Sequence, residues 1–380
     1  MISIYKTVLS ALFLMAMAHP VSAETWRVEK DGSADFTVIQ EALDVSSPGD
    51  TVLIGPGRFT ETTTVVVPGW TEDTYAVVWT DSVTIIGSGA DVTIIGPESQ
   101  EKQPSYDRPK GLLGLYAEGC RVSNLSVENI RDGVYWEGGL EIAECTIREC
   151  VDALISHPSG GLSVSDVLFE QNSSHAILAW GPCPDMRVMN CEFADSESGI
   201  SVVGLGYLLV ADCTFTNHVV SVQYDSTIGE IRSCNFFNST NVDVVSIGSH
   251  LTLTNCRLSP AYRSISASTW GWLRGSGNVI PAGEGERIRI CNTLFYFNGN
   301  NISRTDSPYI RLDCFMSLPH DILDFTGNYW GTTNADSISA NIIDGNDEPE
   351  IHAFVDFLPF SDVPVSNTKK SWGDLKSMFR

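Results

Sequence analysis

Six segments decide the fold: LEIAECTI (140–147), LSVSDVLF (162–169), MRVMNCEF (186–193), LLVADCTF (208–215), GEIRSCNF (229–236) and LTLTNCRL (251–258). An earlier copy reads CRVSNLSV (120–127). Aligned on the sixth position, they place Leu125, Cys145, Val167, Cys191, Cys213, Cys234 and Cys256 at spacings of 20, 22, 24, 22, 21 and 22 residues. Three residues before each anchor stands Val, Ile or Leu; two residues after it stands Val, Ile, Phe or Leu. A strand turns alternate side chains to one face. The step from −3 to 0 breaks that alternation, so two short strands meet at a corner and the anchor points inward just past it.

A further strand follows about nine residues on, as GVYW (133–136), ALIS (153–156), AILA (176–179), GISV (199–202) and SIS (264–266). Three short strands per repeat, with no helical period, describe one coil of an all-β, single-stranded, right-handed parallel β-helix. Identical positions on successive coils then stack about 4.8 Å apart. No coil buries its own face, so the array folds as a unit. The spacing L-x-L-x-x-C-x-L also fits a leucine-rich repeat. That fold needs a helical second half, where this sequence is β-branched and glycine-containing.

The flanking sequence adds a resemblance. DGSADFTVIQEALDVSSPGDTVLIGPGRFTE (31–61) and VTIIGSGADVTIIGP (83–97) resemble the opening of pectin-lyase-like β-helix proteins. GNYWGTT (327–333) is similar to the last coil of secreted β-helix repeat proteins. The resemblance implies a short helix over about 37–43 that caps the N-terminal end of the core. It also implies chemistry on one outer face, with carboxylates or a basic residue in a groove. The polygalacturonase signatures N-T-D, D-D, G-H-G and R-I-K are not present in full. The later pectin methylesterase segments are absent too. Of the bases a lyase of this fold would use, the coils offer Arg263.

The chain has 380 residues, 23 Lys+Arg against 47 Asp+Glu, and a formal net charge of −24. That balance excludes nucleic acid as a natural partner, because phosphate binding relies on cationic side chains. Residues 1–23 carry Lys6, a short apolar run and Val21-Ser22-Ala23, the pattern of a cleaved export leader. The expected organisation is a leader (1–23), one β-helix domain (24–361), and a linker with a short tail (362–380). The product is expected to be a secreted, periplasmic or surface-exposed monomer with no transmembrane segment after cleavage. Within the tail, Trp372, Leu375 and Phe379 fall at helical spacing.

Ten cysteines in an exported chain first suggest disulfides. The five anchor cysteines share one column and point the same way, which suits small buried hydrophobes better than bridges. Cys120, Cys150, Cys183, Cys291 and Cys314 remain, and Cys291–Cys314 is the best candidate bridge.

Two residues before the first inward residue of the later strand stand Asp132, Asp152, His175, Ser198, His218, Thr240 and Arg263. Of these, Asp132, Asp152, His175, His218 and Arg263 are the candidate catalytic residues, as a line of acid–base groups. The competing reading is that Asp and His at turns bond nearby backbone groups. Tyr135, Trp180, Tyr224 and Trp270 are the candidate substrate-binding aromatics, with Trp136 and Trp272 beside them and Glu137, His157, Asp225 and Arg274 as neighbours. The acidic loop IIDGNDEPE (342–350) offers Asp344, Asn346 and Asp347 as candidate Ca²⁺ ligands. Two functions stay open: a non-catalytic surface binding polysaccharide or cell-envelope glycan, and a polysaccharide-active lyase, hydrolase or epimerase.

Overall fold

Each coil turns its corners on residues that tolerate a left-handed backbone. The residue before every anchor, Asn124, Glu144, Asp166, Asn190, Asp212, Ser233 and Asn255, has φ between +54° and +57°. A second column, Asn129, Glu149, Gln171, Asp195, Asn217 and Asn238, has φ between +54° and +60°. Asn and Asp dominate both columns because a short polar side chain lowers the cost of that conformation. These corners cause the break in alternation that the sequence shows.

The result, seen in a computed structural model, is a right-handed parallel β-solenoid of about 12 turns. It describes residues 22–364 apart from 68, 100–107, 182–183, 205, 261, 284, 304–307 and 314–320. The leader (except Ser22 and Ala23), the tail, Cys183 and Cys314 therefore lie outside the described residues. So does the proposed Cys291–Cys314 bridge.

Three faces stack in parallel register. One outer face runs through Lys110–Gly114, Asp132–Glu137, Asp152–His157, His175–Trp180, Ser198–Val203, Val220–Asp225 and Val242–Ile247. A second runs through Cys120–Ser123, Leu140–Ala143, Leu162–Ser165, Met186–Met189, Tyr207–Ala211, Ile228–Arg232 and His250–Thr254. The long strand Arg263–Ser276 contributes to both. The third face is a sheet of three-residue strands from Gly57–Phe59 to Asn235–Phe237. The helix Ile39–Val45 buries Ile39, Ala42 and Leu43 and caps the core near the expected position.

Inward columns hold the stack together. Phe169, Phe193, Phe215 and Phe236 form a ladder with centroid steps of 4.9, 4.6 and 4.9 Å and nearly parallel rings. Cys145, Cys191, Cys213, Cys234 and Cys256 are buried and unbridged, and each thiol points to a backbone carbonyl two residues earlier. Towards the C-terminus, Asn278 donates to Asn300 (2.9 Å) and Asn300 to Asn328 (3.0 Å), all within the core. Asn328 and the buried Trp330 come from GNYWGTT and close the last coils.

Near the N-terminus an antiparallel hairpin, Thr63–Val67 with Trp70–Val78, interrupts the coils. Its Val65 packs on Val77, Leu113 and Leu115, with Val67 and Tyr135 at the margin. This small cluster lies outside the solenoid core and makes the hairpin a wall over the first outer face.

Candidate functional site

Beside that wall, register brings the predicted residues into line. Asp132 is the partner of Asp152, and the next two coils continue with His175 and Ser198. Asp132 is nearly covered, its side chain 9% exposed. Lys110 Nζ lies 3.4 Å from its carboxylate and Arg131 Nε 3.3 Å, while Arg131 also reaches Glu72 of the hairpin at 2.7 Å. Burial raises the Asp132 carboxyl above the usual carboxylate range. The neighbouring Lys110 and Arg131 cancel only part of that rise.

Asp152 is shifted the other way. Burial pushes its carboxyl up, but hydrogen bonds from the His175 ring, the His175 backbone and Ser174 outweigh it and hold it low. Asp152 Oδ1 accepts from the His175 backbone N–H at 3.1 Å and lies 2.9 Å from Nδ1. Ser174 Oγ stands 2.8 Å from the same nitrogen. With Nδ1 donating to Asp152, Nε2 becomes the proton-accepting nitrogen of His175.

Two half-buried aromatics and His157 line the next outward columns. Lys110 Nζ sits 3.8 Å from the centroid of the Tyr135 ring and 5.7 Å from that of Trp70. His157 lies 5.8 Å from Tyr135 and 3.9 Å edge-on from Trp180. Burial, reinforced by Glu137, pushes the Tyr135 phenol up to about 12, and burial lowers His157. The groove thus joins a high-pKa carboxyl, a low-pKa carboxylate with an oriented imidazole, and an aromatic wall.

Other expectations need correcting. His218 and Thr240 stand two residues before the column, whose members there are Val220 and Val242. His218 is fully buried, bonded through Nδ1 to the Ser196 carbonyl at 2.9 Å. Tyr224 is likewise buried, in the inward column with Val202 and Ser246, and so is Trp136. An inward aromatic cannot serve as an outer platform. Arg263 does continue the column, but six coils beyond Asp132, about 29 Å away. It pairs with Glu286 at 3.5 Å. Trp270 is 67% exposed on that same distant coil.

The acidic loop does not gather ligands. Asp344 is buried and spends its oxygens on the backbone N–H groups of Asn346 (2.8 Å) and Val355 (3.0 Å). Asp347 turns its carboxylate back toward the Asp344 N–H, at 3.4 Å. Among the described residues no three His, Cys, Asp or Glu side chains come together to hold a metal ion. A separate trough of about 430 Å³ on the second face, flanked by Arg121, Glu141, Asp185 and Arg187, contains none of the predicted site residues.

Lys110, Arg131 and Glu72 escaped sequence reasoning. Lys110 precedes the first recognisable repeat, Glu72 belongs to the hairpin insertion, and Arg131 sits at a corner one residue before the column.

The model of the right-handed β-helix region matches residues 110–302, just over half of the chain and including the groove. The chain belongs to the right-handed β-helix family. Among solved structures, this β-helix is similar to XylC in complex with xylose. The TM-score is 0.53 and the identity 10%, over 72% of this chain and 76% of the other. It is also similar to the catalytic domain of a GH87 α-1,3-glucanase in complex with tetrasaccharides. There the TM-score is 0.52 and the identity 10%, over 90% of this chain and 69% of the other. At that identity the likeness shows the fold alone. No curated protein sequence matches significantly. Among the described residues no helix is long and apolar enough to cross a membrane.

Proposed function

We propose that this β-helix binds a neutral polysaccharide in the groove beside the hairpin and hydrolyses its glycosidic linkages. One observation carries the reading: adjacent coils place Asp132 and Asp152 in register with their pKa values pushed in opposite directions. Such a divergence separates an acid from a base. Asp132 protonates the leaving oxygen, and Asp152 with His175 takes the proton of the attacking water. Tyr135 and Trp180 form the apolar side of the sugar site.

Local charge favours a neutral glycan. Lys110 and Arg131 are already paired, and even with Asp132 protonated Glu72, Glu137 and Asp152 outnumber them. A uronate would meet net repulsion. Fold neighbours in complex with xylose and with tetrasaccharides are in keeping with this class of ligand. We place the activity outside the cytoplasm, after loss of the leader.

A non-catalytic glycan-binding surface is favoured by one fact, the near burial of Asp132 under two cations. Reducing-end release from a panel of neutral polysaccharides separates the two. Hydrolysis that falls by at least about 100-fold in Asp152→Asn and His175→Ala is the expected outcome. Binding with no release from any glycan leaves the surface reading, and release unchanged in both variants refutes this site.

A further inference from the structure

The C-terminal coils carry a second outer feature, on the face adjoining that of the groove. His250, Trp272 and Leu294 are successive register partners, and so are Thr252, Arg274 and Tyr296. The His250 ring stacks on the Trp272 indole with centroids 5.2 Å apart and planes 11° from parallel. The Arg274 guanidinium lies 5.0 Å from the Trp272 centroid and 5.5 Å from that of Tyr296. Arg274 is nevertheless exposed, as are Tyr296, Leu294 and Ile228, the partner of His250.

Among the described residues, no carboxylate oxygen lies within 4 Å of the Arg274 guanidinium, in a chain whose formal charge is −24. The nearest acids in its row, Glu230 and Asp324, are two coils away on either side, about 10 Å. Both are occupied: Glu230 lies near Arg232 and Tyr207, and Asp324 accepts from Asn298 and Thr326. Aromatic neighbours on two sides fix a planar guanidinium in place, so little freedom is lost when it binds an oxyanion. Rings stacked along the coil axis turn their electropositive edges outward, which adds to the attraction for an anion. At one corner of the same coil, Thr269 and Trp270 both have positive φ where the register shifts between Ser268 and Gly271. That conformation is costly for a bulky residue, and here it leaves Trp270 in solvent.

We infer that this face is a second glycan site, which takes an acidic saccharide by pairing its carboxylate with Arg274. Leu294 and the rim of Trp272 contact the apolar side of the sugar ring. A ligand that is both apolar on one side and singly charged is a uronic acid residue of a polysaccharide. The choice of a saccharide over another carboxylate rests on the carbohydrate reading of the groove. The site lies six coils, about 29 Å, from Asp132, so it anchors the protein and does not share the groove's ligand.

Affinity electrophoresis of the full chain through gels containing polygalacturonate, a sulfated glycan or a neutral glycan, all with a chelator, tests this. Polygalacturonate retards the wild type and Arg274→Gln weakens that retardation at least about tenfold, whereas any retardation by the neutral glycan, which the groove takes, is unaltered by Arg274→Gln. Trp272→Ala weakens it too, and circular dichroism confirms that both variants keep the β-helix. His175→Ala, in the groove, leaves retardation unchanged. No retardation by polygalacturonate, or equal retardation of Arg274→Gln, overturns the site; retardation by the sulfated glycan alone overturns the uronate assignment. Hydrolysis of neutral glycans is measured on the same preparations, so failure in the groove is seen separately from failure here.

Discussion

Replacing Asp243 with Asn should change how stability depends on pH. Asp243 is fully buried in the inward column that Ala176, Gly199 and Ser221 occupy on earlier coils. Its carboxylate accepts from the Ser259 backbone N–H (2.7 Å) and hydroxyl (2.6 Å). Arg287, also fully buried, bonds the Ser259 carbonyl (2.9 Å) and Ser264 hydroxyl (2.6 Å) nearby. Burial pushes Asp243 up to about 6, and the serines and Arg287 offset only part of it. An unfolded chain releases this proton near 3.8. Below that value both states hold the proton. Between about 4 and 6 only the unfolded state releases it, so folding stability falls with rising pH. The gap of roughly two pH units corresponds to about 3 kcal/mol, lost by the time pH passes the folded value. Asn does not titrate. Its amide can donate to the Ser259 hydroxyl while its oxygen keeps the Ser259 N–H, at a pH-independent cost of about 1 kcal/mol. Urea unfolding of both proteins at pH 4, 5, 6 and 7 should show the wild type losing about 2.4 kcal/mol relative to Asp243→Asn across the series, the first part of the loss having occurred below pH 4. A difference constant within about 0.5 kcal/mol would refute the assignment of a buried, late-titrating carboxyl.

Phe215→Ala removes a fully buried ring from between Phe193 and Phe236, and should cost about 3–5 kcal/mol in denaturant titrations; a loss under about 1 kcal/mol would mean that the ladder is not close-packed. Asn190→Val forces a β-branched residue into a left-handed corner and should cost about 1–3 kcal/mol, whereas Asn190→Gly should be better tolerated. Burial raises the thiols of Cys145 and Cys150, and the Cys191 thiol is raised by its bond with Cys213 and by burial. A thiol reagent at pH 8 should leave these three unmodified in the folded protein and label them after unfolding; rapid native labelling would contradict their burial.

The coils were legible because stacking imposes one rule on every repeat: an inward position on one coil must be inward on the next. Cys213 and Phe215 could therefore be placed from sequence alone. His218 and Tyr224 misled for a local reason. The coil has no clear apolar pair to set the phase, since Val220 faces outward and Ser221 inward, which displaces His218 two residues from the column; Tyr224 instead stands two residues after the inward Val222 and so shares its face. Asp132, Asp152 and His175 kept their phase because an inward Val134, Leu154 or Ile177 follows each two residues later. The cations around Asp132 were not legible, because Arg131 lies off the column, Lys110 before the repeats and Glu72 about sixty residues upstream. The turn around Asp344 was not legible either: its carboxylate accepts from the backbone amides of Asn346 and Val355.

The outer strand of the hairpin, Thr63–Val67, rests on a patch of only four buried side chains, separate from the continuous core of the solenoid to which Tyr75, Ala76 and Val78 of the other strand belong. Its local unfolding free energy is accordingly smaller than that of the central coils, whose strands are paired on both sides. Amide exchange over Thr63–Val67 should run ahead of exchange in Leu208–Val210, the interior of a central coil. The wall can thus part while the rows that hold Asp132, Asp152 and His175 stay in register.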